Sequence, residues 1–168
     1  MRSTQWRYRR IRRKYIEAKR AFKQKSKIPF YPFLAIRFII EQLRRGYSLP
    51  TLDRQLFRTE SILERWMYYD LREIYPGEII TQYPLGPYWI DLAIPKYKLA
   101  IELDGKKYHK NRKAQEHDRR RDAYMQRLGW KVMRFTYEDI TKRREESLEK
   151  IFAFTQRQAA KAKKKHRI

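Results

Sequence analysis

The stretch "YWIDLAIPKYKLAIELD" at residues 88–104 restricts the fold of this chain more than any other part. Apolar residues alternate with other residues on both sides of "PKYK", a period typical of β-strands with one buried face. A hairpin with a four-residue loop at residues 95–98 places Asp91 directly opposite Glu102. The predicted apolar face comprises Tyr88, Ile90, Leu92, Ile94, Leu99, Ile101 and Leu103, and the opposite face comprises Trp89, Asp91, Ala93, Ala100, Glu102 and Asp104.

The second face gathers the carboxylates of Asp91, Glu102 and Asp104. Directly opposed side chains on a sheet face lie about 5 Å apart, and two carboxylates at that distance share either a proton or a cation. The chain has no Cys, and these strands carry no His, so an oxygen-only ligand set favours a hard ion such as Mg²⁺ over zinc. The alternative is an exposed face whose acids pair with Lys and Arg. The small Ala93 and Ala100 on that face favour a pocket.

The remaining pattern predicts the order α-β-β-β-α-β-α, which describes a small α/β domain with a mixed sheet flanked by helices. Its elements are the helix "SILERWMYYDLREI", the strand "IITQY", the hairpin, a helix over about 112–128, the strand "WKVMRFT" and a helix over about 140–157. One face of the first helix carries Leu63, Met67, Leu71 and Ile74. We expect this domain to cover residues 59–155.

Residues 1–58 are predicted to form a basic helical segment, and residues 156–168 a basic tail. Ile11, Tyr15, Ala18 and Phe22 have helical spacing, so one side of that helix can dock while the other meets phosphate. The alternative is a solvated arm that becomes ordered on binding. The helix "YPFLAIRFIIEQLRRG", a short helix opening at Pro50 and the helix after it resemble a helix-turn-helix module, although three consecutive helices occur in many folds.

The charge of the chain predicts a polyanionic partner. The 42 Lys and Arg residues against 19 Asp and Glu residues give a net charge of +23, and nucleic acid is the commonest partner of such proteins. An anionic membrane surface is the rival, but the sequence has no lipidation motif and no apolar run of about 20 residues. We therefore expect no membrane partner and a cytoplasmic, nucleoid-associated location, which the absence of cysteine fits.

Four motifs resemble a known family: "Y-x-x-D-L", "L-A-I-E-L-D-G-x-x-x-H", "H-D-x-x-R" and "L-G-W-K-V-M-R-F". They are similar to those of the small nucleases related to very-short-patch-repair endonuclease, a branch of the PD-(D/E)xK superfamily. The resemblance runs from about Thr59 to Phe154 and leaves residues 1 to about 50 uncovered. It implies a restriction-endonuclease-like core that hydrolyses DNA with Mg²⁺, for which Mn²⁺ can substitute.

The resemblance also implies roles for individual residues. Asp91 matches the first metal-binding acid and Glu102 the second. Asp104 stands where the wider superfamily has a lysine, a departure that matches this branch; we count it among the metal ligands, and the general base stays unassigned. His109 is then the candidate base or leaving-group acid, because imidazole titrates near neutral pH; the alternative is a loop histidine on phosphate.

Further residues complete the implied site. Glu64 matches an additional acid, or else it only completes a capping box with Ser61, and Gln82 matches a polar position on the first strand. Asp118 and Arg121 point toward the sheet, either as an i, i+3 ion pair or as a site in which the arginine holds the acids or the scissile phosphate. The predicted nucleic-acid contacts are Lys106, Lys107, Lys110, Arg9, Arg10, Arg12 and Arg13; either Lys106 or Lys107 can also replace the missing superfamily lysine.

Together these features predict a Mg²⁺-dependent endonuclease or nickase that acts on double-stranded DNA in repair, restriction or homing. Such a small domain nicks one strand as a monomer or cuts both strands as a homodimer. The alternative is a non-catalytic, ribosomal or packaging-like nucleic-acid-binding protein with a nuclease-derived fold. The acid cluster favours the enzyme, because a pure binder gains nothing from carboxylates that face phosphate.

Overall fold

The structure, a computed structural model, describes residues 2–47, 50, 52–105 and 112–165. The chain divides into two compact units, Met1–Arg58 and Thr59–Ile168. No helix in the described ranges combines the length and the apolar character needed to cross a membrane.

The first unit consists of helices. Helix α1 covers Arg2–Ser26, a 3-10 turn covers Ile28–Phe30, α2 covers Tyr31–Arg44 and α3 covers Arg54–Arg58. Tyr31 and Phe38 of α2 lie against Phe57 of α3, with ring centroids 4.6 and 5.4 Å apart. These aromatic contacts and the buried Leu56 form the small core of the unit.

The start of α3 differs from the prediction. The helix does not open at Pro50 but begins at Arg54, because Asp53 caps it and its Oδ1 accepts a hydrogen bond of 2.9 Å from the backbone N–H of Leu56. Since α2 and α3 lie in the first unit and α4 lies in the second, the helix-turn-helix interpretation stays a prediction.

Two aromatic residues of the apolar side predicted for α1 are exposed. Tyr15 and Phe22 are 67% and 75% exposed. The helix turns a different side inward, where the side-chain amide of Gln24 donates a hydrogen bond of 3.3 Å to the backbone oxygen of Arg58.

The second unit has the predicted order of elements, and the predicted mixed α/β fold is confirmed. Its elements are α4 (Ile62–Ile74), β1 (Ile80–Leu85), β2 (Tyr88–Ile94), a 3-10 turn (Pro95–Tyr97), β3 (Leu99–Asp104), α5 (Arg112–Arg127), β4 (Lys131–Thr136), α6 (Tyr137–Thr141) and α7 (Arg144–Lys165). The strands form one sheet in the order β1-β2-β3-β4, antiparallel except for the parallel pair β3–β4. The last predicted helix is thus two helices, and α7 continues past residue 157 because the basic end contains no helix breaker.

The predicted hairpin register is confirmed over three pairs. Leu92 pairs with Ile101, Ala93 with Ala100 and Ile94 with Leu99. The pairing ends before Asp91 and Glu102, so their predicted backbone pairing is wrong. The reason is that the backbone N–H of Leu103 donates to Asp91 Oδ2 at 2.9 Å, and this side-chain bond replaces the ladder.

The β1–β2 ladder is interrupted at Gln82, which lies opposite Asp91. Pairing holds on both sides of this position, whereas Gln82 has a φ of 51°. This left-handed conformation is uncommon for a residue other than glycine and costs about 1–3 kcal/mol. Strained backbone therefore lies beside one of the predicted site acids.

The interruption changes which residues lie on each face of β2. The alternation assigns Tyr88 and Ile90 to the face opposite the acids, but both pack on the side of α5. The ring of Tyr88 lies 5.4 Å from that of Tyr124, and Ile90 shares a buried cluster with Met125. The strand rotates where the ladder breaks, so a strict period of two fails at this point.

The two alanines of the predicted acid-bearing face lie in the core. Ala93 and Ala100 belong to the same buried cluster as Met125 of α5 and Trp130. The small side chains therefore make room for the α5 layer of the core, and a pocket above the acids stays a prediction.

Helix α4 buries most of its predicted face. Leu63, Met67 and Leu71 are buried, whereas Ile74 at the helix end is exposed. The same helix carries Asp70, which is 1% exposed and forms an ion pair of 2.7 Å with Arg144 of α7. This pair joins the two helices across the unit.

Candidate active site

A buried acid, Glu102, and a half-buried acid, Asp91, lie on the central strands. Glu102 on β3 is 2% exposed, and its Oε1 has no hydrogen-bond partner among the described residues. Asp91 on β2 is half-buried and accepts the hydrogen bond from Leu103. Burying a carboxylate oxygen without a partner is costly, so this part of the sheet is not arranged for stability alone.

The electrostatics of the pair show the same incomplete compensation. Burial raises the pKa of Asp91 to about 6; the Leu103 hydrogen bond opposes the rise, and repulsion from Glu64 adds to it. Burial raises the pKa of Glu102 to about 8, repulsion from Asp91 adds to this, and attraction to Arg121 opposes it. The described positive charges are therefore too few to keep both acids ionised at neutral pH.

Arg121 of α5 contacts two acids. Its Nη1 lies 3.2 Å from Glu102 Oε2, whereas its Nη2 lies 4.0 Å from Asp118 Oδ1. The contact within the helix is thus the longer one, and the side chain turns toward the sheet. Arg121 Nε is buried without a hydrogen-bond partner in the part of the chain that the structure describes.

Sequence reasoning missed Arg134 on β4. This residue lies beside Glu102 in the parallel β3–β4 register, and its guanidinium contacts Asp104 at 3.6 Å and also Asp122 of α5. The alternation of "WKVMRFT" could have placed Arg134 on the face of Val132, which packs against the α5 side of the core. Its acid partners depend on a parallel pairing that no local pattern reveals.

Glu64 serves both of its predicted environments in part. The Ser61 hydroxyl caps α4 by accepting from the Glu64 N–H at 3.1 Å. The Glu64 carboxylate does not return to Ser61; its Oε2 accepts bonds of 2.9 Å from the N–H of Glu60 and of 2.9 Å from the Gln82 amide. Glu64 is 4% exposed and close enough to raise the pKa of Asp91.

Several predicted residues cannot be placed in this site. Lys106, Lys107, His109 and Lys110 lie outside the described residues, and so do the side chains of Arg9, Arg10, Arg12 and Arg13. Their roles stay predictions.

The carboxylates of this site can supply part of the coordination of a divalent cation. Within residues 2–47, 50, 52–105 and 112–165, no three His, Cys, Asp or Glu side chains converge closely enough to hold a metal, and Asp104 contacts Arg134. Mg²⁺, however, is usually held by one or two carboxylates together with water and substrate phosphate. Asp91 and the unpartnered oxygen of Glu102 therefore fit a hard divalent cation as a two-carboxylate site.

Comparisons with known proteins find sequence relatives and a structural neighbour. An uncharacterised protein of Haemophilus influenzae (strain ATCC 51907 / DSM 11121 / KW20 / Rd) is 33% identical over 97 residues, covering 58% of this chain and 79% of the relative. The uncharacterised protein YcjD of Escherichia coli (strain K12) is 32% identical over 100 residues, covering 58% of this chain and 83% of the relative. The catalytic domain of homing endonuclease I-Bth0305I superposes with a TM-score of 0.48 at 20% identity, over 56% of this chain and 94% of that domain.

A family model decides the assignment. The model of the restriction-endonuclease-like family REase_MTES_1575 matches residues 64–154, more than half of the chain, and includes Glu64, Asp91, Glu102 and Arg134. The chain therefore belongs to the REase_MTES_1575 family of restriction-endonuclease-like nucleases.

Proposed function

We propose that this nuclease is a metal-dependent DNA endonuclease or nickase of the very-short-patch-repair-like branch, with Asp91 and Glu102 as its metal-binding acids. The observation that carries the proposal is the uncompensated buried pair: the pKa values of both acids are raised, to about 6 and about 8, and Glu102 Oε1 has no described partner. In a nuclease, such a pair would bind a cation and, through it, a phosphodiester, and these would supply the positive charge and the partner that the two acids lack.

The cation would be Mg²⁺, with Mn²⁺ as a substitute. When bound, it would polarise the phosphodiester and activate water for attack. The oxygen-only donors of Asp91 and Glu102 suit such a hard ion, and Asp104, now in contact with Arg134, would be a further ligand if that ion pair opens.

Residues around the pair would position acids and substrate. Arg121 contacts one oxygen of Glu102 at 3.2 Å, which would leave the unpartnered oxygen to the cation. The Arg121 guanidinium would also hold the scissile phosphate. Gln82 on β1 would fix the carboxylate of Glu64, which projects from α4 close to Asp91, through their 2.9 Å hydrogen bond. His109 remains our candidate for proton transfer.

The partner would be double-stranded DNA in the nucleoid, cut by a monomer as a nick or by a homodimer as a double-strand break. Support comes from the net charge of +23 and from α1, whose described exposed side chains include Lys14, Lys19, Lys23 and Lys25. Contacts to phosphate fix register without reading bases. A separate basic unit of this kind favours a site-directed enzyme of the repair, restriction or homing type.

The test is a supercoiled-plasmid assay with Mg²⁺, with Mn²⁺ and with EDTA. We expect wild-type protein to nick or cut the plasmid only with a divalent ion, and Asp91→Asn and Glu102→Gln to lose about a thousandfold in rate. Glu116→Gln removes an acid that is exposed on α5 and paired with Arg120 at 2.9 Å, so this matched variant should cut normally. Equal rates in all four proteins would mean that the activity is a contaminant.

One observation favours the second candidate, a non-catalytic nucleic-acid-binding protein. Arg121 and Arg134 already contact Glu102 and Asp104, at 3.2 and 3.6 Å, as expected for acids that merely pair with basic residues. This candidate predicts that Asp91→Asn and Glu102→Gln leave DNA affinity unchanged and that no protein preparation cleaves the plasmid with either ion.

A further inference from the structure

A groove of about 430 Å³ runs along the outer edge of β4. Strand β4 pairs with β3 on one side, and no described strand covers its other side. Helix α7 forms the opposite wall. The groove is thus open to an extended molecule, and it lies wholly within the second unit.

Four basic side chains line this groove, and one of them, Arg134, contacts Asp104. Lys131 begins β4, and Lys150 and Arg157 project from α7. All three are exposed, and none forms an ion pair with a carboxylate of the described residues. Their charges are therefore available to an anion from solution.

The acid in the groove does not neutralise them. Asp139 accepts bonds of 2.8 and 2.7 Å from the backbone and hydroxyl of Thr136, and pairs with Arg143 at 2.8 Å. These hydrogen bonds lower the pKa of Asp139 well below its ordinary value, and Lys150 contributes less than they do. The carboxylate is occupied as a helix cap, so the groove keeps a positive surplus.

The spacing of the basic side chains along the groove fits a chain of anions. Lys150 and Arg157 lie seven residues apart on α7, or about 10 Å along the helix axis. Consecutive phosphates of one strand can contact both side chains. A volume of about 430 Å³ also matches a nucleotide-sized ligand rather than a duplex.

The floor of the groove is apolar. Met133 and Phe154, both half-buried, lie between the basic side chains. An aromatic surface between cations is the arrangement by which proteins bind single-stranded nucleic acid, with phosphates on the charges and a base stacked on the ring. An acidic peptide pairing with the edge of β4 would use the charges but not the ring.

We propose that the groove between β4 and α7 is a second nucleic-acid site, which binds one unpaired strand through Lys131, Lys150, Arg157 and Phe154. Arg134, which contacts Asp104, also lines the groove, so this site adjoins the acid cluster. The proposed function gives the protein double-stranded DNA as its partner, and this site adds the binding of a single strand, which does not require cleavage.

The experiment measures binding of a fluorescent oligodeoxythymidine about 12 nucleotides long to the full chain in EDTA. Lys131→Gln, Lys150→Gln and Arg157→Gln are combined in one variant. We expect about tenfold weaker binding and a salt dependence whose logarithmic slope is smaller by about 2, because each lost phosphate contact removes about 0.7. The matched control combines Lys161→Gln, Lys163→Gln and Lys164→Gln, three exposed cations of the same helix outside the groove, and should keep the wild-type slope.

A second pair of variants tests the stacking surface. Phe154→Leu should weaken binding about fivefold or more without changing the salt slope, whereas Phe152→Leu, an exposed ring of α7 outside the groove, should bind as wild type. Matching unfolding temperatures would show that the variants are folded.

Three results would overturn the proposal. The first is an equal loss of slope in the two triple variants, and the second is displacement of the oligonucleotide by a polyglutamate peptide at equal charge, which would indicate a peptide site. The third is an equal effect of the groove variant on duplex binding. Because EDTA prevents catalysis, an inactive wild-type protein in the plasmid assay would refute the proposed function and leave this binding result intact.

Discussion

Two regions of the second unit bury acids in opposite ways. Asp70, between α4 and α7, has Arg144 at 2.7 Å. Glu102, in the centre of the sheet, has Arg121 at 3.2 Å on one oxygen, no described partner on the other, and a repelling neighbour in Asp91. Both carboxylates are almost fully buried, so burial alone does not separate them.

The two regions differ in the group that neutralises the buried carboxylate. The cation of Asp70 belongs to the fold, and folding itself assembles that pair. The acids of the sheet keep raised pKa values of about 6 and about 8, which means that the folded chain without a ligand favours their neutral forms. We infer that Asp70 stabilises the fold, whereas Asp91 and Glu102 destabilise it in the absence of a ligand and serve binding.

The largest expected effect is on the Asp70 side of this comparison. Asp70→Asn leaves the Arg144 guanidinium without its carboxylate, and because that side chain is 41% exposed, the loss should be about 3 kcal/mol rather than the upper end for fully buried pairs. Urea denaturation measures it, with Glu149→Gln, an exposed acid of α7, as the control. A loss below about 0.5 kcal/mol would mean that the pair does not stabilise the fold.

Neutralising Glu102 should raise the free energy of unfolding, whereas neutralising Asp70 lowers it. The folded-state pKa of Glu102, about 8, lies above the ordinary value of 4.5, so the folded chain holds this proton more tightly than the unfolded chain. The contribution is present at low pH, and the free energy of unfolding of the metal-free protein falls as the pH rises from about 5 to 8. Glu102→Gln should therefore be about 2 kcal/mol more stable than wild type at pH 8 and equally stable near pH 5.

Urea denaturation in EDTA at several pH values checks this sign. Glu116→Gln, whose acid is exposed on α5, should follow the wild-type curve throughout. A stability difference for Glu102→Gln that stays constant with pH would mean that Arg121 already compensates the acid.

A divalent ion should remove part of that instability. At ten times its dissociation constant, Mg²⁺ should raise the free energy of unfolding of wild type by about 1.4 kcal/mol. Asp70→Asn should show the same gain, because its acid lies outside the site, whereas Asp91→Asn and Glu102→Gln should show almost none. Thermal unfolding with and without the ion measures these gains, and an undiminished gain in the last two variants would locate the ion elsewhere.

Local sequence patterns predicted most of the fold. The alternation around "PKYK" predicted the three hairpin pairs, and helical spacing predicted the buried side of α4 at Leu63, Met67 and Leu71. The misplaced start of α3 shows the limit of such signals: Pro50 is a common first-turn residue, but Asp53 supplies the cap that starts the helix.

The candidate site was less accessible to sequence reasoning because its contacts join distant elements. The hairpin register brought Asp91 and Glu102 to neighbouring strands, but Arg134 meets Asp104 only through the parallel β3–β4 pairing. The twist at Gln82 has no local signal, since glycine and asparagine are the residues that usually mark a positive φ. It also moved Tyr88 and the rest of the β2 start to the α5 side.

The smallest expected effect comes from that strained residue. Gln82→Ala and Gln82→Gly both lose the amide bond to Glu64, but only glycine adopts a φ of 51° without strain. We therefore expect the glycine variant to be about 1 kcal/mol more stable than the alanine variant. At Lys131, an exposed strand position on β4, the order should be reversed, because glycine ordinarily weakens a strand.

Urea denaturation of each pair of variants separates the effect of backbone strain on stability from the effect of the lost hydrogen bond, because both Gln82 variants lose that bond. Alanine being the more stable at both positions would mean that Gln82 is not strained. If glycine is the more stable at Gln82, the native glutamine is kept there at a cost to stability. The reason would then be its amide, which holds Glu64 beside Asp91, and strain at Gln82 would belong with the acid pair rather than with Asp70.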